Sequence, residues 1–249
     1  MASRKSKLLI EGLIDQQQIF GDLFLQNLDE SFDSVFIKER MKRNSKETGD
    51  GSSNNRFHIP FQDADSLDEL NSLICGCLNC QLGKTRTKFV FGVGNPHAIA
   101  MLVGEAPGAD EDAKGEPFVG RAGMLLNDIL KAVNLKRADV YIANILKCRP
   151  PNNRDPLPSE EETCKPYLHK QIDLIKPKII LCLGRIAANG LLNSKLSLSA
   201  LRENDYELNG IKVMATYHPA ALLRNPQWKR GCWEDFKKFK KLYDEFSKN

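Results

Sequence analysis

Four short apolar runs alternate with amphipathic stretches between residue 98 and the end of the chain. The runs are AIAMLVGE, VYIANILKC, KIILCLG and IKVMATY, and turn signals bound each of them. Apolar residues at helical spacing fill the intervals over 121–134, 159–175 and 185–193, and WKRGCWEDFKKFKKLYDEF follows as a terminal amphipathic helix. Strands that alternate with helices predict an α/β fold, with a mostly parallel four-stranded sheet covered on both faces.

The start of the chain has a different pattern. Residues 1–43 carry apolar side chains near helical spacing, and residues 44–55 (NSKETGDGSSNN) have the composition of a flexible linker. Ser66 and Glu69 then stand at the spacing of a capping box for a further helix. We therefore predict an N-terminal extension over 1–65, with 1–43 as a candidate surface for a protein partner, and a folded domain over 66–249.

Composition and charge narrow the class of protein only slightly. The 249 residues are 41% hydrophobic and 27% charged, which is ordinary for a globular protein. No apolar run approaches the length of a membrane span, and the N-terminus lacks the features of a secretion signal, so we expect a cytoplasmic protein without a membrane role. Residues 1–75 have a net charge of −4 and residues 76–249 a net charge of +8. A basic folded domain suits a polyanionic partner.

The cysteines are the first candidates for a chemical role. The chain has seven, and without a secretion signal they are expected to be reduced thiols or metal ligands. Cys77 and Cys80 form a C-x2-C pair, and Cys148 and Cys164 are separated by 15 residues. This spacing suits four-thiolate ligation of zinc or of an iron–sulfur cluster, and Cys75 is a competing ligand. The remaining two, Cys182 and Cys232, are expected to be buried apolar residues.

Unusual chemistry follows the predicted strands, at the sheet edge where open α/β folds bind ligands. The first strand runs into GEAPGADE, the second contains NILKCRPPNNR, and HPAALLRNP follows the fourth. Nearby, Phe118 lies in a glycine-rich loop, GEPFVGRAG. Such loops usually lie on the surface, where a large apolar side chain gains little stability. It either packs down as a staple for the following helix or stacks on a flat ligand.

Taken together, these segments resemble the fourth, iron–sulfur family of uracil-DNA glycosylases. The likeness rests on GEAPGADEDAKGEPFVGRAGMLL, NILKCRPPNNRDPLPSEEETCKPYL and YHPAALLRNP with the four cysteines, and it covers about residues 70–245. It implies a three-layer α/β/α sandwich and a DNA repair enzyme that hydrolyses the N-glycosidic bond of uracil. It also implies that Cys77, Cys80, Cys148 and Cys164 hold a structural [4Fe–4S] cluster.

The resemblance assigns roles to three pocket residues. The target base must be flipped out of the stack, and Phe118 offers it a stacking surface. Asn144 matches the base-reading asparagine, since an amide can meet both O4 and N3–H of uracil. His218 matches the catalytic histidine, which stabilises negative charge on the departing base. Without the resemblance, Asn144 has a less favoured reading as a strand-end residue that bonds local backbone. A single histidine such as His218 is more often structural, although a His-Pro just after a strand favours a functional role.

The loop after the first strand departs from the better-known uracil glycosylases, which carry GQDPY there. In this chain Ala106 stands at the Asp position and Gly108 at the Tyr position. Glu105 is therefore the first candidate to position water, and its carboxylate could also stabilise the cationic sugar. The space beside Gly108 is expected to be open, so exclusion of the thymine methyl group either depends on another residue or is weaker. Gly104 and Gly108 are expected to let the backbone approach the ligand closely.

The last motif supplies the expected DNA contacts. Leu222 aligns with the leucine that fills the vacated base stack in related glycosylases, although it suits the core equally well. Arg224 is a candidate phosphate contact. The wider set of candidate phosphate contacts is Lys147, Arg149, Arg154 and Arg224.

We therefore expect a monomeric enzyme that excises uracil from single- or double-stranded DNA. Three other functions are alternatives to this prediction. The first is a broader deaminated-base glycosylase of the fifth family, but its first motif resembles GLAPA and lacks Glu105. The second is a catalytically silent iron–sulfur DNA-binding protein, and the third is a redox iron–sulfur protein. The presence of Glu105, Asn144 and His218 together favours an enzyme.

Overall fold

The computed structural model describes residues 60–248, and the predicted helical segment 1–43 and linker 44–55 lie outside the described residues. A six-stranded sheet, with the order β1-β3-β2-β4-β6-β5, forms its centre. The strands are β1 (Val93–Gly94), β2 (Ala100–Gly104), β3 (Tyr141–Asn144), β4 (Ile179–Leu183), β5 (Tyr206–Leu208) and β6 (Ile211–Thr216).

The four predicted strands form the parallel centre of this sheet. Strand β2 pairs in parallel with β3 and β4, and β4 pairs in parallel with β6, which confirms the predicted parallel sheet. The short strands β1 and β5 were not predicted, and each adds an antiparallel edge. The second apolar run forms a strand only as far as Asn144, so the rest of that run leaves the sheet.

Helices pack on both faces of the sheet. They are α1 (Leu67–Ile74), α2 (Leu82–Thr85), α3 (Ala109–Lys114), α4 (Arg121–Ala132), α5 (Pro158–Ile175), α6 (Arg185–Leu192), α7 (Leu198–Glu203), α8 (Pro219–Arg224) and α9 (Lys229–Phe246). Helices α4, α5, α6 and α9 lie where the apolar spacing predicted them. None of the helices in residues 60–248 combines the length and apolar character that a membrane crossing requires.

Alternate side chains of the central strands pack into two separate hydrophobic cores, one on each face of the sheet. Met101 and Val103 pack with residues of α1, α5, α6 and α7 on one face. Ala100 and Leu102 pack with residues of α4, α8 and α9 on the other. Because successive strand residues point to opposite faces, a fully apolar strand such as β2 requires cover on both sides. The result is the expected α/β/α sandwich.

Residues just before the predicted boundary at 66 belong to this folded unit. Phe61 packs edge-on against Tyr167 of α5, with ring centroids 4.9 Å apart. Ala64 is 1% exposed within the first core, and Lys170 donates a hydrogen bond of 2.7 Å to the carbonyl of Gln62. At the start of α1, the hydroxyl of Ser66 accepts a hydrogen bond from the backbone N–H of Glu69, as the capping spacing predicted.

Candidate active site

A cavity of about 350 Å³ opens at the carboxyl ends of the parallel strands. The loop after β2, the segment after β3 and the start of α8 form its wall, which is where an open α/β sheet binds ligands. The residues that line it are Glu105, Ala106, Pro107, Gly108, Glu111, Phe118, Ala122, Asn144, Pro150, Asn153, Arg154, Asp155, His218, Ala220 and Arg224. The structure therefore brings Glu105, Phe118, Asn144 and His218 together.

Asn144, which lines this cavity, carries an unsatisfied polar atom. Asn144 ends β3, is 2% exposed, and pairs in register with Gly104 of β2. Within residues 60–248, its Oδ1 is the one buried side-chain nitrogen or oxygen without a hydrogen-bond partner. A side chain at position 104 would collide with this oxygen and with the ring of Phe118. An unpartnered buried oxygen costs about 1–3 kcal/mol, which a ligand with a matching donor would offset.

Phe118 combines the two roles between which the sequence left a choice. It is 6% exposed within the second core, and it also lines the cavity. Its ring centroid lies 5.6 Å from that of His218, with the two planes inclined by 34°. The residue has a φ of 54°, in the left-handed region, which is unfavourable for a residue with a side chain.

The strained backbone at Phe118 is held from two sides. Arg137 donates hydrogen bonds of 2.8 Å and 3.0 Å to the carbonyls of Pro117 and Phe118. Gly123 of α4 lies so close that any side chain there would collide with the carbonyl of Phe118. The role of Arg137 was not predictable from a local pattern, since its partners are backbone atoms 19 and 20 residues away. The aromatic ring is thereby fixed at the cavity before a ligand arrives.

His218 is neutral, and its ring proton faces away from the backbone. It caps the N-terminus of α8, where Nδ1 accepts a hydrogen bond of 3.1 Å from the N–H of Ala220. Because Nδ1 is an acceptor, the proton resides on Nε2. Burial and then the nearby charge of Arg224 lower the pKa of His218 to about 4, while the charge of Glu111 acts in the opposite direction. The sequence identified the residue but not the tautomer.

Glu105 lies half-buried at the end of β2 beside the cavity. Its pKa is raised to about 7, chiefly by burial and then by the negative charges of Asp155 and Glu161, while Arg185 acts in the opposite direction. A carboxyl group with this pKa exchanges protons near neutral pH, which suits a general base or acid. The predicted candidate therefore has both the place and the acidity for proton transfer.

Glu111 organises the loop that carries Gly108. Its carboxylate accepts hydrogen bonds from the backbone N–H groups of Gly108, Val119 and Gly120, at 3.1, 2.9 and 2.9 Å. One of its oxygens lies 2.7 Å from the point where a side chain at 108 would begin. The expectation of open space beside Gly108 is therefore wrong, because this carboxylate occupies it. The spacing between a capping Gly108 and Glu111 was the signal in the sequence.

Leu222 does not have the position predicted for it. It is 1% exposed and belongs to the core beneath α8, so it is not available to enter a base stack. The next residue, Leu223, is 39% exposed on the same helix. One residue turns a helix by 100°, so a shift of a single position exchanges the buried and exposed faces.

The predicted phosphate contacts differ in their availability. Arg224 is exposed at the rim of the cavity. Arg154 forms a bidentate ion pair with Glu160, at 2.6 and 2.8 Å. Lys147 is fully buried and donates hydrogen bonds to the carbonyl of Asn144 and to Gln171, so its assignment as a phosphate contact is wrong.

The four predicted ligand cysteines gather on the other side of the same segment. Cys77 and Cys80 lie between α1 and α2, Cys148 follows β3, and Cys164 lies in α5. Burial raises the pKa of Cys148, against the hydrogen bond and the charge of Arg86, which lower it. Burial raises the pKa of Cys164 to about 12. Cys75 is exposed, and its thiol lies against the carbonyl of Ser72 in its own helix.

Hydrogen-bond donors point at three of these sulfurs. Arg86 donates to Sγ of Cys148 at 3.3 Å, and the backbone N–H of Lys147 donates to Sγ of Cys164 at 3.3 Å. The hydroxyl of Tyr167 and the backbone N–H of Asn79 donate to Sγ of Cys77, at 3.2 and 3.5 Å. Such donors stabilise thiolates that ligate a metal centre.

The arrangement of the four cysteines can be compared with the requirements of a zinc ion and of an iron–sulfur cluster. Among the residues that the structure describes, no three His, Cys, Asp or Glu side chains converge closely enough to hold one metal ion. A single zinc ion requires all four sulfurs within about 2.3 Å of one point. A four-iron cluster takes its thiolates at separate corners and accepts a wider arrangement. Four thiols with hydrogen-bond donors at three of their sulfurs suit the ligation of such a cluster.

Comparison with known proteins agrees with this geometry. The family model of the Uracil DNA glycosylase superfamily matches residues 91–242. A Type-4 uracil-DNA glycosylase of Archaeoglobus fulgidus is 49% identical over 186 residues, which is 72% of this chain and 94% of that protein. Another, from Thermotoga maritima, is 45% identical over 168 residues, 66% of this chain and 88% of that protein.

The likeness to the fifth family is weaker. A Type-5 uracil-DNA glycosylase of Pyrobaculum aerophilum is 30% identical over 146 residues, which is 52% of this chain and 64% of that protein. The type-4 proteins match at higher identity and over more of both chains. This chain belongs to the type-4 uracil-DNA glycosylases of the uracil-DNA glycosylase superfamily.

Proposed function

We propose that this protein is a DNA repair enzyme that flips uracil out of DNA and hydrolyses its N-glycosidic bond, leaving an abasic site. The observation that carries the proposal is the unpartnered Oδ1 of Asn144, a residue that lines the cavity together with a fixed aromatic ring and a neutral histidine. A flipped base has a flat face and a polar edge, and this cavity offers a partner for each.

Asn144 reads the base in this account. Its Oδ1 accepts the N3–H of uracil and its amide N–H donates to O4. Cytosine has an acceptor at N3 and a donor at N4, so the same amide orientation would oppose it. Phe118 stacks on the base without choosing it, since every base has a π-face.

His218 stabilises the departing base. When the bond between C1′ and N1 breaks, its electron pair goes to uracil, and the negative charge extends to O2. The Nε2–H of His218 donates a hydrogen bond to that oxygen, and a neutral imidazole can do so without losing a proton. A preorganised donor of this kind contributes about 2.7–4 kcal/mol to the transition state.

Glu105 activates the water that completes the reaction. The water oxygen bonds to C1′, and its proton passes to the carboxylate, which later returns a proton to the solvent or to the uracil anion. Only the ionised carboxylate accepts the proton, so a pKa of about 7 makes the reaction faster as pH rises through neutrality.

Glu111 excludes thymine in this account. Its carboxylate lies beside Gly108, where the aligned tyrosine of other families would lie. Three backbone N–H groups fix its position, so a methyl group on the base would meet a rigid and charged neighbour. Discrimination against thymine then depends on this carboxylate and not on an aromatic ring.

Cys77, Cys80, Cys148 and Cys164 hold a [4Fe–4S] cluster with a structural role. The cluster joins the turn between α1 and α2 to the segment after β3 and to α5. The hydrogen bonds that Arg86, Tyr167 and Lys147 donate to the sulfurs support this assignment. Its chemistry is that of a cross-link, and the residues of the cavity carry out every step of the reaction.

The proposal includes the setting of the enzyme. It acts as a monomer, because residues of one chain complete the cavity. It acts in the cytoplasm, where the thiols that bind the cluster stay reduced. Its substrate is uracil-containing DNA in single- or double-stranded form, and residues 1–43 are the candidate segment for contact with a protein partner.

Base release from defined oligonucleotides tests the proposal. Single-stranded and duplex substrates that carry one U, T, C or hypoxanthine are incubated with the full chain, and the released base is quantified. Release of uracil alone is the expected result. Release of hypoxanthine at a similar rate would instead indicate the broader activity of the fifth family, and no release of any base would indicate a silent DNA-binding protein.

A further inference from the structure

A column of three stacked side chains is connected through the chain to two residues of the cavity wall, His218 and Arg224. The guanidinium carbon of Arg202 lies 4.3 Å from the ring centroid of Tyr217. Tyr217 in turn stacks on Trp228, with centroids 5.4 Å apart and planes inclined by 23°. Tyr217 directly precedes His218 in the chain, and Trp228 follows the rim residue Arg224 by four positions. The column is therefore linked by short chain segments to the cavity wall, and it ends in an indole.

The lower end of the column is tied to the sheet. Arg202 forms a bidentate ion pair with Asp235, at 2.7 and 3.1 Å, and donates to the carbonyl of Gly231 and the hydroxyl of Tyr217. Asp235 is 4% exposed, and it also accepts a hydrogen bond of 2.8 Å from Thr216 at the end of β6. These bonds fix the orientation of Tyr217, so the indole above it is held in place without a ligand.

The upper end is open to solvent. Trp228 is 38% exposed although Tyr217 covers one face of its ring. Arg224, Lys229 and Arg230 are exposed beside it in the chain. A fixed aromatic face among cationic side chains is the combination that binds single-stranded nucleic acid, in which bases stack on the ring and phosphates meet the charges.

We propose that Trp228 is a stacking site for an unpaired nucleobase of the DNA strand, next to the uracil that enters the cavity. The inference rests on the proposed function, because it takes the cavity as the place of the flipped base. The ligand is a nucleobase of any sequence, since stacking on an indole needs only a π-face. Because the column is preorganised, little side-chain entropy is lost when the base binds.

The site favours single-stranded substrate. In a duplex the flanking bases are already stacked and paired, so one of them reaches Trp228 only after leaving its own stack. In a single strand this cost is small. Loss of the indole should therefore weaken binding to single-stranded DNA by about tenfold or more, and binding to duplex DNA by much less.

Fluorescence tests the site without any excision. Trp228 and Trp233 are the two tryptophans of the chain, and Trp233 is similarly exposed, at 39%, but has no place in the column. The full chain with Trp233→Phe carries Trp228 alone, and the Trp228→Phe chain carries Trp233 alone. Both are titrated with a uracil-free single-stranded oligonucleotide and with a matched oligonucleotide of abasic nucleotides.

Stacking predicts saturable quenching of Trp228 by the oligonucleotide with bases, with far less quenching by the abasic one and little response from Trp233. Equal responses of the two tryptophans, or equal quenching by the abasic strand, would overturn the site. Because the oligonucleotides contain no uracil, these outcomes are independent of whether the protein excises it. The release assay tests that function separately.

Kinetics then separate a stacking role from a structural one. Trp228→Leu keeps an apolar cover on Tyr217 but removes the indole. It should raise KM for single-stranded uracil DNA about tenfold and leave kcat within twofold, and Trp228→Phe should restore most of the loss. Trp233→Leu is the matched control and should change neither. A fall in kcat with KM unchanged would show that the residue supports the fold near His218 and would refute the proposal.

Discussion

Asn144 of the cavity and Cys148 of the cysteine site are four residues apart in the chain. The two sites nevertheless differ in whether their buried polar groups have hydrogen-bond partners. In the cavity the Oδ1 of Asn144 has no partner and Glu105 keeps a raised pKa. At the cysteine site, donors from Arg86 and Lys147 already point at sulfur. Unmet hydrogen-bonding capacity suits a ligand that comes and goes, whereas donors directed at sulfur suit a resident group. The first region is built for turnover and the second for stability.

The largest effect should follow removal of a cluster ligand. Cys164→Ala should abolish the visible absorbance and iron content of the purified protein and lower its Tm sharply, because a bound metal centre contributes its binding free energy to folding. Cys182→Ala is the matched control, since Cys182 is also fully buried but lies within β4. It should keep its iron. Full iron content and an unchanged Tm in Cys164→Ala would show that this residue ligates nothing.

Next in size is the loss of His218, which should affect the rate and spare the fold. His218→Asn keeps a side chain able to cap α8 but removes the Nε2–H. Single-turnover excision should slow by about 10²–10³-fold, the amount expected for one lost oxyanion donor, while affinity for uracil DNA changes little. The Tm should stay close to that of the unmodified chain. Equal losses in affinity and rate would instead assign His218 to ground-state binding.

Glu105→Gln should lower the rate and remove its pH dependence. The single-turnover rate of the unmodified chain should rise with pH through about 7, as the carboxyl group ionises, and the variant should show a low and flat profile. A rate within about threefold of the unmodified chain, equivalent to less than about 1 kcal/mol, would show that Glu105 does not activate water.

The same substitution should have the opposite effect on stability. The folded-state pKa of Glu105 lies above its ordinary value of 4.5, so the folded chain holds a proton that the unfolded chain releases between that value and about 7. Stability from this group is present below pH 4.5 and is lost as pH rises through 7. Glu105→Gln should therefore raise Tm at pH 8 and leave it unchanged at pH 4. Equal Tm differences at both pH values would contradict the raised pKa.

The smallest effect should follow a change of the N-terminal boundary. It should lower the stability of the region around the cysteines and leave the excision rate unchanged. A chain that begins at residue 66 loses the contact between Phe61 and Tyr167, whose hydroxyl donates to Sγ of Cys77. It should be less stable than a chain that begins at residue 60 by about 1–3 kcal/mol, or a few degrees in Tm. Both should excise uracil at the same rate. Equal Tm values would place the boundary at 66, as the sequence predicted.

Local pattern was sufficient for the centre of the fold and insufficient for its edges. The strands β2, β3, β4 and β6 were evident because a strand buried on both faces is continuously apolar. The edge strands β1 and β5 have two and three residues, too few to show a period. The helix α7 was not predicted, because its six residues are also too few to show a period.

The candidate site divides in a similar way. Glu105, Asn144 and His218 were predictable because they follow predicted strands and match the motifs of a family. The acceptor state of His218 Nδ1, the clamp of Arg137 on Phe118 and the burial of Leu222 depend on tertiary contacts or on helix phase. No local pattern encodes them. Glu111 is intermediate between these predictable and unpredictable features. Its capping position relative to Gly108 is visible in the sequence, but its hydrogen bonds with the N–H groups of Val119 and Gly120 are not.

Asn144 offers the most direct test of the contrast between the two regions. Asn144→Ala removes an oxygen that has no partner in the free protein, so the account predicts a Tm equal to or above that of the unmodified chain. Single-turnover excision of uracil should meanwhile fall by about 100-fold or more, with weaker discrimination against cytosine. A Tm several degrees lower, with uracil excision retained, would show that Asn144 serves the fold and would contradict the account.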